Sequence, residues 1–234
     1  IGRIQHFISR KAMDIEGLGG ETVALLVNEG LISNYSDLYL LTKEQLMPLE
    51  RMAEKSAENL VNGVEESKHI PFERVLFALG IRYVGETVAK KLAKHYKSID
   101  AIAQASIDDL VNVDEIGIKI AESVVDFFDS ERNILIINRL KSFGVQLELS
   151  ADVLLGQTEI LKGDIIVVTG VFESVTRNEL KKIIEDNGGK VSSSISYKTS
   201  YIVAGANMGP SKKEKAEKLD ILIISEHEFL QKTK

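Results

Sequence analysis

Residues 15–19 read Ile-Glu-Gly-Leu-Gly, and a related pattern returns three more times, at starts 34, 32 and 32 residues apart. Each copy has apolar residues at its first and fourth positions, a small residue at its fifth, and a small or apolar residue four places later. The later copies are Leu49-Glu50-Arg51-Met52-Ala53, Ile81-Arg82-Tyr83-Val84-Gly85 and Val113-Asp114-Glu115-Ile116-Gly117. So regular a period predicts a repeated supersecondary unit.

The residues on either side of the pattern have helical spacing. Ile4, Phe7 and Ile8 form an i, i+3, i+4 stripe before the first copy. Gly30 offers a C-cap to the helix that follows that copy. Before the third copy, Pro71 suits a first helical turn. Each unit is therefore predicted to be a helix, a short hairpin and a second helix.

The glycines of the pattern suit the binding of an anion. A glycine at a turn permits a positive φ and lets a ligand approach the main chain closely. The first amides of the following helix have no partner within that helix. Together with the positive end of the helix dipole, these amides form an anion site that needs no basic side chain. The sequence therefore predicts phosphate binding by the main chain of the hairpins.

The four copies do not fit this use equally well. The second has Arg51 and Ala53 where glycine is favoured, so we expect its turn to reach a positive φ less readily. Glu115 of the fourth copy would repel a phosphate that it faced. The first and third hairpins are therefore expected to contribute most. The candidate contact residues are Gly17, Gly19, Gly20, Arg51, Lys55, Gly85, Thr87, Lys90, Gly117 and Lys119.

A simpler interpretation is that these glycines only end helices in a helical bundle. For one isolated hairpin the two interpretations are equally good. Four copies in register favour phosphate contact.

The sequence changes its period from about residue 160. Short apolar or β-branched runs, typical of buried strands, occupy residues 165–169, 201–204 and 221–224. The predicted helices cover residues 176–185, 211–219 and 226–231, with Thr176 and Ser225 as N-caps. Strands that alternate with helices predict a small parallel sheet covered on both faces.

Composition excludes several classes of protein. The chain of 234 residues has no cysteine, no tryptophan and only four scattered histidines, so disulfides and thiolate metal sites are excluded and no metal is expected. It has no apolar run of about 18 residues and no leader, which predicts a cytoplasmic protein without a membrane partner. Because it begins at Ile1, we expect an excised fragment.

The net charge of −6 argues against a strongly basic protein that coats nucleic acid. All of this net charge lies in the first 150 residues, and the remainder is neutral. We therefore predict three parts: four hairpin units in residues 1–150, a linker in 151–157, and a second domain in 158–234.

Both predicted domains resemble known families. The apolar-x-Gly-apolar-Gly pattern before a helix is similar to the helix-hairpin-helix motif of proteins that bind DNA without reading its sequence. Residues 187–191, Asn-Gly-Gly-Lys-Val, and the Ser/Thr-rich stretch 192–200 resemble a BRCT domain. That resemblance implies a phosphate pocket at Thr169, Gly170 and Lys212. Pro210 interrupts the usual run before this lysine, which leaves Lys213 as the alternative, and Phe229 stands where many BRCT domains have tryptophan.

The order of the modules narrows the resemblance further. Four tandem helix-hairpin-helix units followed by one BRCT domain are similar to the C-terminal part of bacterial NAD-dependent DNA ligases. Residues 3–19 resemble the segment that follows the four-cysteine zinc finger of those enzymes. The fold class expected is thus an all-α helix-hairpin-helix domain followed by a small α/β BRCT domain with a parallel four-stranded sheet.

The ligase resemblance implies sequence-independent binding of nicked duplex DNA, in replication and repair, by a monomer. NAD, magnesium and zinc are implied only for the full-length parent, whose adenylation, oligonucleotide-binding and zinc-finger domains lie upstream. No Lys-x-Asp-Gly motif occurs in this chain, so no catalytic residue is expected here.

Two other functions stay open at this point. The first is a DNA-repair scaffold whose BRCT domain reads phosphopeptides. The second is a lyase or glycosylase, some of which carry one helix-hairpin-helix, although Asp126 and Asp129 have no evident catalytic partner. Binding of nicked DNA and of phosphopeptides would separate these functions.

Overall fold

A computed structural model describes residues 1–233 of the chain. The chain divides into two compact units, Ile1–Leu149 and a second that begins at Ser150. The first is helical, and the second contains a four-stranded parallel sheet with helices. The predicted fold class is therefore confirmed.

Ten α-helices and two 3₁₀ helices build the first unit. The α-helices are α1 Gly2–Ile8, α2 Gly20–Asn28, α3 Lys43–Leu46, α4 Glu54–Glu66, α5 Phe72–Ala78, α6 Glu86–Tyr96, α7 Ile99–Gln104, α8 Ile107–Val111, α9 Ile118–Asp129 and α10 Glu131–Ser142. The 3₁₀ helices are Tyr35–Leu40 and Ser67–His69. The pattern of residues 15–19 and its three copies precede α2, α4, α6 and α9, so each joins two helices as predicted.

The positions that define the repeat form much of the hydrophobic core of this unit. The residues four places after each copy, Val23, Ala57, Ala89 and Ala121, are all 0% exposed. The apolar first and fourth positions are buried or packed against the same core. The small side chains of Ala57, Ala89 and Ala121 let the neighbouring elements approach closely in three of the hairpins, and Val23 occupies the same position in the first.

At Gly63, inside α4, the turn of the first hairpin packs against the second helix of the second hairpin. A Cβ at this position would lie only 2.6 Å from the carbonyl oxygen of Glu16. Gly17 in turn would place its Cβ 3.5 Å from the backbone of Leu60. A glycine inside a helix costs stability relative to alanine. The presence of glycine at position 63 is explained by the turn of the first hairpin, which packs directly against α4 and leaves no room for a Cβ.

A charged pair joins α10 to the 3₁₀ helix Tyr35–Leu40. The Arg139 guanidinium donates to the Asp37 carboxylate at 2.7 Å, and the Asp37 side chain is only 16% exposed. The same carboxylate accepts hydrogen bonds from the amides of Ser33 and Asn34. Burial alone raises the pKa of Asp37, but these hydrogen bonds and Arg139 outweigh it, so the pKa lies below its usual value of 3.8.

We expect the stability of the first unit to depend on this carboxylate in acid. Because the pKa of Asp37 is lowered on folding, its contribution is full above about pH 4 and is lost as the pH falls further. Asp37→Asn should cost about 1–3 kcal/mol at neutral pH and flatten the acid limb of the stability profile. Urea unfolding between pH 3 and pH 7 measures both; an unchanged acid limb would contradict this role.

The second unit begins with a short helix and contains all four strands. Its elements are α11 Ala151–Leu155, β1 Ile165–Thr169, α12 Arg177–Asp186, β2 Lys190–Ser192, β3 Tyr201–Ala204, α13 Pro210–Lys218, β4 Leu222–Ser225 and α14 Glu226–Lys232. The strand order is β2-β1-β3-β4, and every neighbouring pair is parallel. Thr176 and Ser225 are N-caps as predicted, and each forms a capping box, with Glu179 and Glu228 respectively.

The sheet has a buried cluster on each face. Ile166 and Val168 of β1 pack with α12 and with Phe229 of α14, which is 0% exposed. Val167 of β1 and Ile202 of β3 pack on the other face with Ala216 of α13. Side chains alternate along a strand, so β1, β3 and β4 each supply residues to both clusters. Phe229 thus fills the core position for which the sequence predicts an aromatic plug.

The structure adds a helix where the sequence predicts a linker. Residues 151–157 contain α11, whose N-cap Ser150 accepts a hydrogen bond from the amide of Val153. None of the α11 residues is buried. Within residues 1–233, no helix is long and apolar enough to cross a membrane.

Candidate nucleic-acid interface

All four hairpins share one backbone conformation at the third position of the pattern. Gly17 has a φ of 79°, Arg51 of 63°, Tyr83 of 65° and Glu115 of 66°. The prediction that the second hairpin reaches a positive φ less readily is therefore wrong. The packing around each turn imposes the left-handed conformation on residues that disfavour it.

The fifth position is the N-cap of the following helix in every copy. Gly19, Ala53, Gly85 and Gly117 are all extended, with φ between −97° and −69°. Any residue adopts this conformation, as Ala53 shows. The expectation that these glycines supply a positive φ is therefore wrong for Gly19, Gly85 and Gly117, and among the candidate glycines it holds for Gly17 alone.

The fold leaves the space around three of these glycines empty. A Cβ on Gly19, Gly85 or Gly117 would meet no atom within 4 Å. Gly20, the first residue of α2, is different, because a Cβ there would lie 3.1 Å from the Gln5 side chain. Neither backbone conformation nor internal packing therefore requires glycine at positions 19, 85 and 117.

The helices that follow the hairpins also lack side-chain caps. No side chain accepts a hydrogen bond at the starts of α2, α4, α6 and α9. A Ser or Thr side chain caps each of α3, α7, α8, α11, α12 and α14, whereas α1, α5, α10 and α13 resemble the hairpin helices in having no such cap. Across the described chain, the first two amides of α2, α4, α6 and α9 have no hydrogen-bond acceptor in the protein. These helix starts hold open donors and positive dipole ends.

Lysines neutralise the acidic side chains near three of these helix starts. Lys43 binds Glu54 of α4 at 2.8 Å, and Lys11 binds Glu86 of α6 at 2.8 Å. The hydrogen bond that Lys11 donates to the Glu86 carboxylate raises the pKa of Lys11, which stays charged. Lys91 of α6 binds Glu115 at 2.6 Å. The predicted repulsion by Glu115 is therefore reduced, because its carboxylate is engaged by a lysine.

The second helical residue after each hairpin differs between the copies. It is Lys55 in α4, Thr87 in α6 and Lys119 in α9, all among the predicted contact residues. In α2 it is Glu21, whose exposed carboxylate makes no hydrogen bond or salt bridge to any residue that the structure describes. Sequence reasoning ranked the first hairpin highest on its glycines and overlooked this charge.

We expect Glu21→Lys to strengthen binding to duplex DNA. One additional cation at a helix start should tighten binding by about threefold in moderate salt and steepen the salt dependence by about one phosphate contact. Anisotropy titrations at several salt concentrations measure both quantities. Glu29→Lys makes the same charge change at the exposed C-terminal end of α2 and serves as the control. Equal effects of the two variants would show that only net charge matters.

The residues of the predicted BRCT phosphate pocket lie at the carboxyl end of β1 and at the start of α13. Thr169 is 4% exposed and lies on the sheet face of Val167, which α13 covers. Lys212 is half-buried in the first turn of α13. Pro210 is the first residue of that helix, where proline is well tolerated, and Lys213 follows Lys212 in the same turn, so both lysines stay candidates.

Close backbone contacts shape this end of the sheet. Gly170 has a φ of 95°, and a Cβ there would lie 2.7 Å from the carbonyl oxygen of Gly205. The amides and carbonyls of Val171 and Ala206 exchange two hydrogen bonds of 2.8 Å. Arg177, which sequence reasoning did not identify, donates to the Gly170 carbonyl at 2.8 Å. A guanidinium therefore stands beside the predicted pocket.

A carboxylate of the protein already accepts hydrogen bonds from amides that follow β1. Glu226 accepts hydrogen bonds of 2.9–3.0 Å from the amides of Glu173, Ser174 and Val175, which lower the pKa of Glu226. Glu179 likewise accepts from the amide of Thr176. The amides of residues 173–176, in the loop between β1 and α12, are therefore bonded to carboxylates of the protein, unlike the open helix starts of the first unit.

Among residues 1–233, no group of three or more His, Cys, Asp or Glu side chains is arranged to hold a metal ion. No cysteine is available for a zinc site either.

Two segments of the chain match known family models. Residues 74–137 match the helix-hairpin-helix motif, and residues 156–231 match the BRCA1 C-terminus (BRCT) domain. The first segment contains the third and fourth hairpins. The first and second hairpins share their backbone conformation, as described above.

Curated relatives extend the match to nearly the whole chain. A DNA ligase of Christiangramia forsetii is 71% identical over 231 residues, which are 99% of this chain and 35% of that protein. A DNA ligase of Flavobacterium psychrophilum is 68% identical over 98% of this chain and 34% of its own length. A DNA ligase of Bacteroides fragilis is 53% identical over 98% of this chain and 35% of its own length. The chain thus spans about a third of each relative.

The fold and the family matches define a class of protein that combines helix-hairpin-helix units with a BRCT domain. Within this class, the chain corresponds to the C-terminal region of a bacterial DNA ligase.

Proposed function

We propose that the first unit binds duplex DNA, without reading its sequence, through the main-chain amides at the starts of α2, α4, α6 and α9. The observation that carries this proposal is that three of these four helices start at a glycine that the fold does not need. A phosphate oxygen that approaches an amide closely does need it, because a Cβ would obstruct the approach.

The acidic net charge of −6 is compatible with this role. Amides and helix dipoles attract phosphates locally, and Lys43, Lys11 and Lys91 offset the nearby acids. Contacts to the backbone of DNA position a protein without reading bases. Two hairpins of one pair are suited to contact both strands across a minor groove.

In the longer enzyme, this unit would hold nicked DNA against the catalytic domain while the nick is sealed. The NAD-binding, adenylation, oligonucleotide-binding and zinc-finger parts of a ligase, with their magnesium and zinc, would lie in residues outside this chain. The contribution proposed for residues 1–150 is positioning of the substrate. We place this activity in the cytoplasm, with one copy of the enzyme acting on each nick.

Titration of the full chain with fluorescent duplexes tests the proposed function. Two duplexes of equal length and scrambled sequence should bind with the same affinity, and affinity should fall steeply as salt rises. A nicked duplex should bind at least as tightly as an intact one. A phosphopeptide is the competing ligand for Thr169, Gly170 and Lys212. Tight phosphopeptide binding without duplex binding would favour a repair scaffold and contradict the proposal.

A further inference from the structure

Neither core packing nor backbone conformation explains why residue 83 is a tyrosine. It occupies the tip of the third hairpin with a φ of 65°, and its side chain is 54% exposed. Glycine would take the left-handed conformation without steric cost. A large aromatic side chain at an exposed, left-handed position therefore suggests a contact outside the folded chain.

The neighbouring Arg82 adds a positive charge to this tip. Its guanidinium carbon lies 4.8 Å from the centroid of the Tyr83 ring, within range of a cation–π interaction. Both residues are exposed. The pair presents a flat aromatic surface with a cation beside it, which suits a sugar or base edge close to a phosphate.

The tip also lies close to the open amides along the chain. Tyr83 precedes the N-cap Gly85 by two residues, which can separate them by at most about 7 Å. The minor groove of B-DNA is about 6 Å wide. A phosphate bound at the start of α6 would therefore place Tyr83 at the wall of the groove that this phosphate borders.

The other hairpin tips differ from this one. Gly17 has no side chain, Arg51 supplies a cation, and Glu115 is paired with Lys91 at 2.6 Å. The third hairpin is the one copy whose tip residue is aromatic.

We infer that Tyr83, backed by Arg82, packs its ring against a deoxyribose or base edge in the minor groove beside the phosphate held at the start of α6. This inference rests on the proposed function of the hairpins and adds a groove contact to their phosphate contacts. It makes Tyr83 a positioning residue that fixes how deeply the third hairpin enters the groove.

A matched pair of glycine variants tests the inference in the full chain. Tyr83→Gly relieves the left-handed backbone but removes the ring, so it should keep or raise thermal stability and weaken duplex binding by about tenfold. Tyr83→Phe keeps the ring and should bind like the parent chain. Glu115→Gly makes the same backbone change at the tip of hairpin four and should leave affinity unchanged or higher. Unchanged affinity in Tyr83→Gly would overturn the inference.

The absence of tryptophan allows a direct optical test. Tyr83→Trp introduces a single tryptophan, whose emission should be quenched and shielded from acrylamide when a duplex binds. Tyr197→Trp, at a side chain that is 82% exposed in the second unit, is the control and should stay accessible. Full acrylamide access at position 83 in the saturated complex would contradict the inference.

Failure of the inference can be told apart from failure of the proposed function. If Gly85→Val weakens duplex binding while Tyr83→Gly does not, the hairpins bind phosphates but the ring makes no groove contact. If neither variant changes duplex affinity, the proposed function itself fails.

Discussion

Replacing Gly85 with valine is expected to weaken duplex binding by tenfold to a hundredfold while the first unit stays folded. The extended φ of −83° and ψ of −178° suits a β-branched residue, and no atom lies within 4 Å of the new Cβ. The loss arises because the side chain blocks the amides of Glu86 and Thr87. Each charge-assisted hydrogen bond to a phosphate contributes about 1.5–3 kcal/mol, which corresponds to the expected range.

Gly209→Val provides a matched control for this result. Gly209 is also an extended N-cap with open space around it, but it starts α13 in the second unit. Both substitutions change the unfolded chain in the same way. Anisotropy titration with a nicked duplex and circular dichroism melting should show weaker binding for Gly85→Val alone. Equal affinities of the two variants would remove the role assigned to the start of α6.

Gly205→Ala is expected to have the largest effect on stability. Its Cβ would overlap the carbonyl oxygen of Val171, a backbone atom that cannot turn away. The hydrogen bonds between Val171 and Ala206 close this end of the sheet, so a shift there disrupts the pairing. We expect the second unit to lose several kcal/mol and to unfold near room temperature, because overpacking against backbone leaves no rotamer to relax into.

The first unit should be unaffected by this change. It has its own core of helical residues, and unfolding of the second unit should leave a cooperative helical melting transition and duplex binding in place. Calorimetry of Gly205→Ala should show one of two transitions missing. Gly209→Ala, in the same loop region and with open space around it, should retain both. Loss of both transitions in Gly205→Ala would show that the units fold as one.

Much of the fold could be predicted from the sequence because its signals are local. The repeat at residues 15, 49, 81 and 113 marks the hairpins, and buried Val23, Ala57, Ala89 and Ala121 follow from the same spacing. In the second unit, the short apolar runs predict the bounds of β1 and β3, and the N-cap residues predict those of α12 and α14, to within one or two residues. These features depend on neighbours along the chain.

The candidate site was harder to predict because its geometry is set by distant contacts. The left-handed conformation of Arg51, Tyr83 and Glu115 opposes their own preferences and is imposed by packing. Lys11 and Glu86 are 75 residues apart in sequence, so their pairing leaves no local signal. The contact at Gly63 could have been predicted, because an isolated glycine inside a helical pattern can have a packing reason, here the close approach of Glu16. The role of each predicted contact residue stays a prediction.

Amide chemical shifts measured during a duplex titration test the main-chain grip most directly. With the full chain labelled with ¹⁵N, we expect the largest shifts at the amides that open the hairpin helices, such as Glu86, Thr87, Ile118 and Lys119. The proton resonances of those amides should move downfield, as hydrogen bonds to phosphate require. The shifts should be the same for duplexes of unrelated sequence. Shifts confined to lysine side chains or to the second unit, with these amides unmoved, would contradict binding by the helix starts.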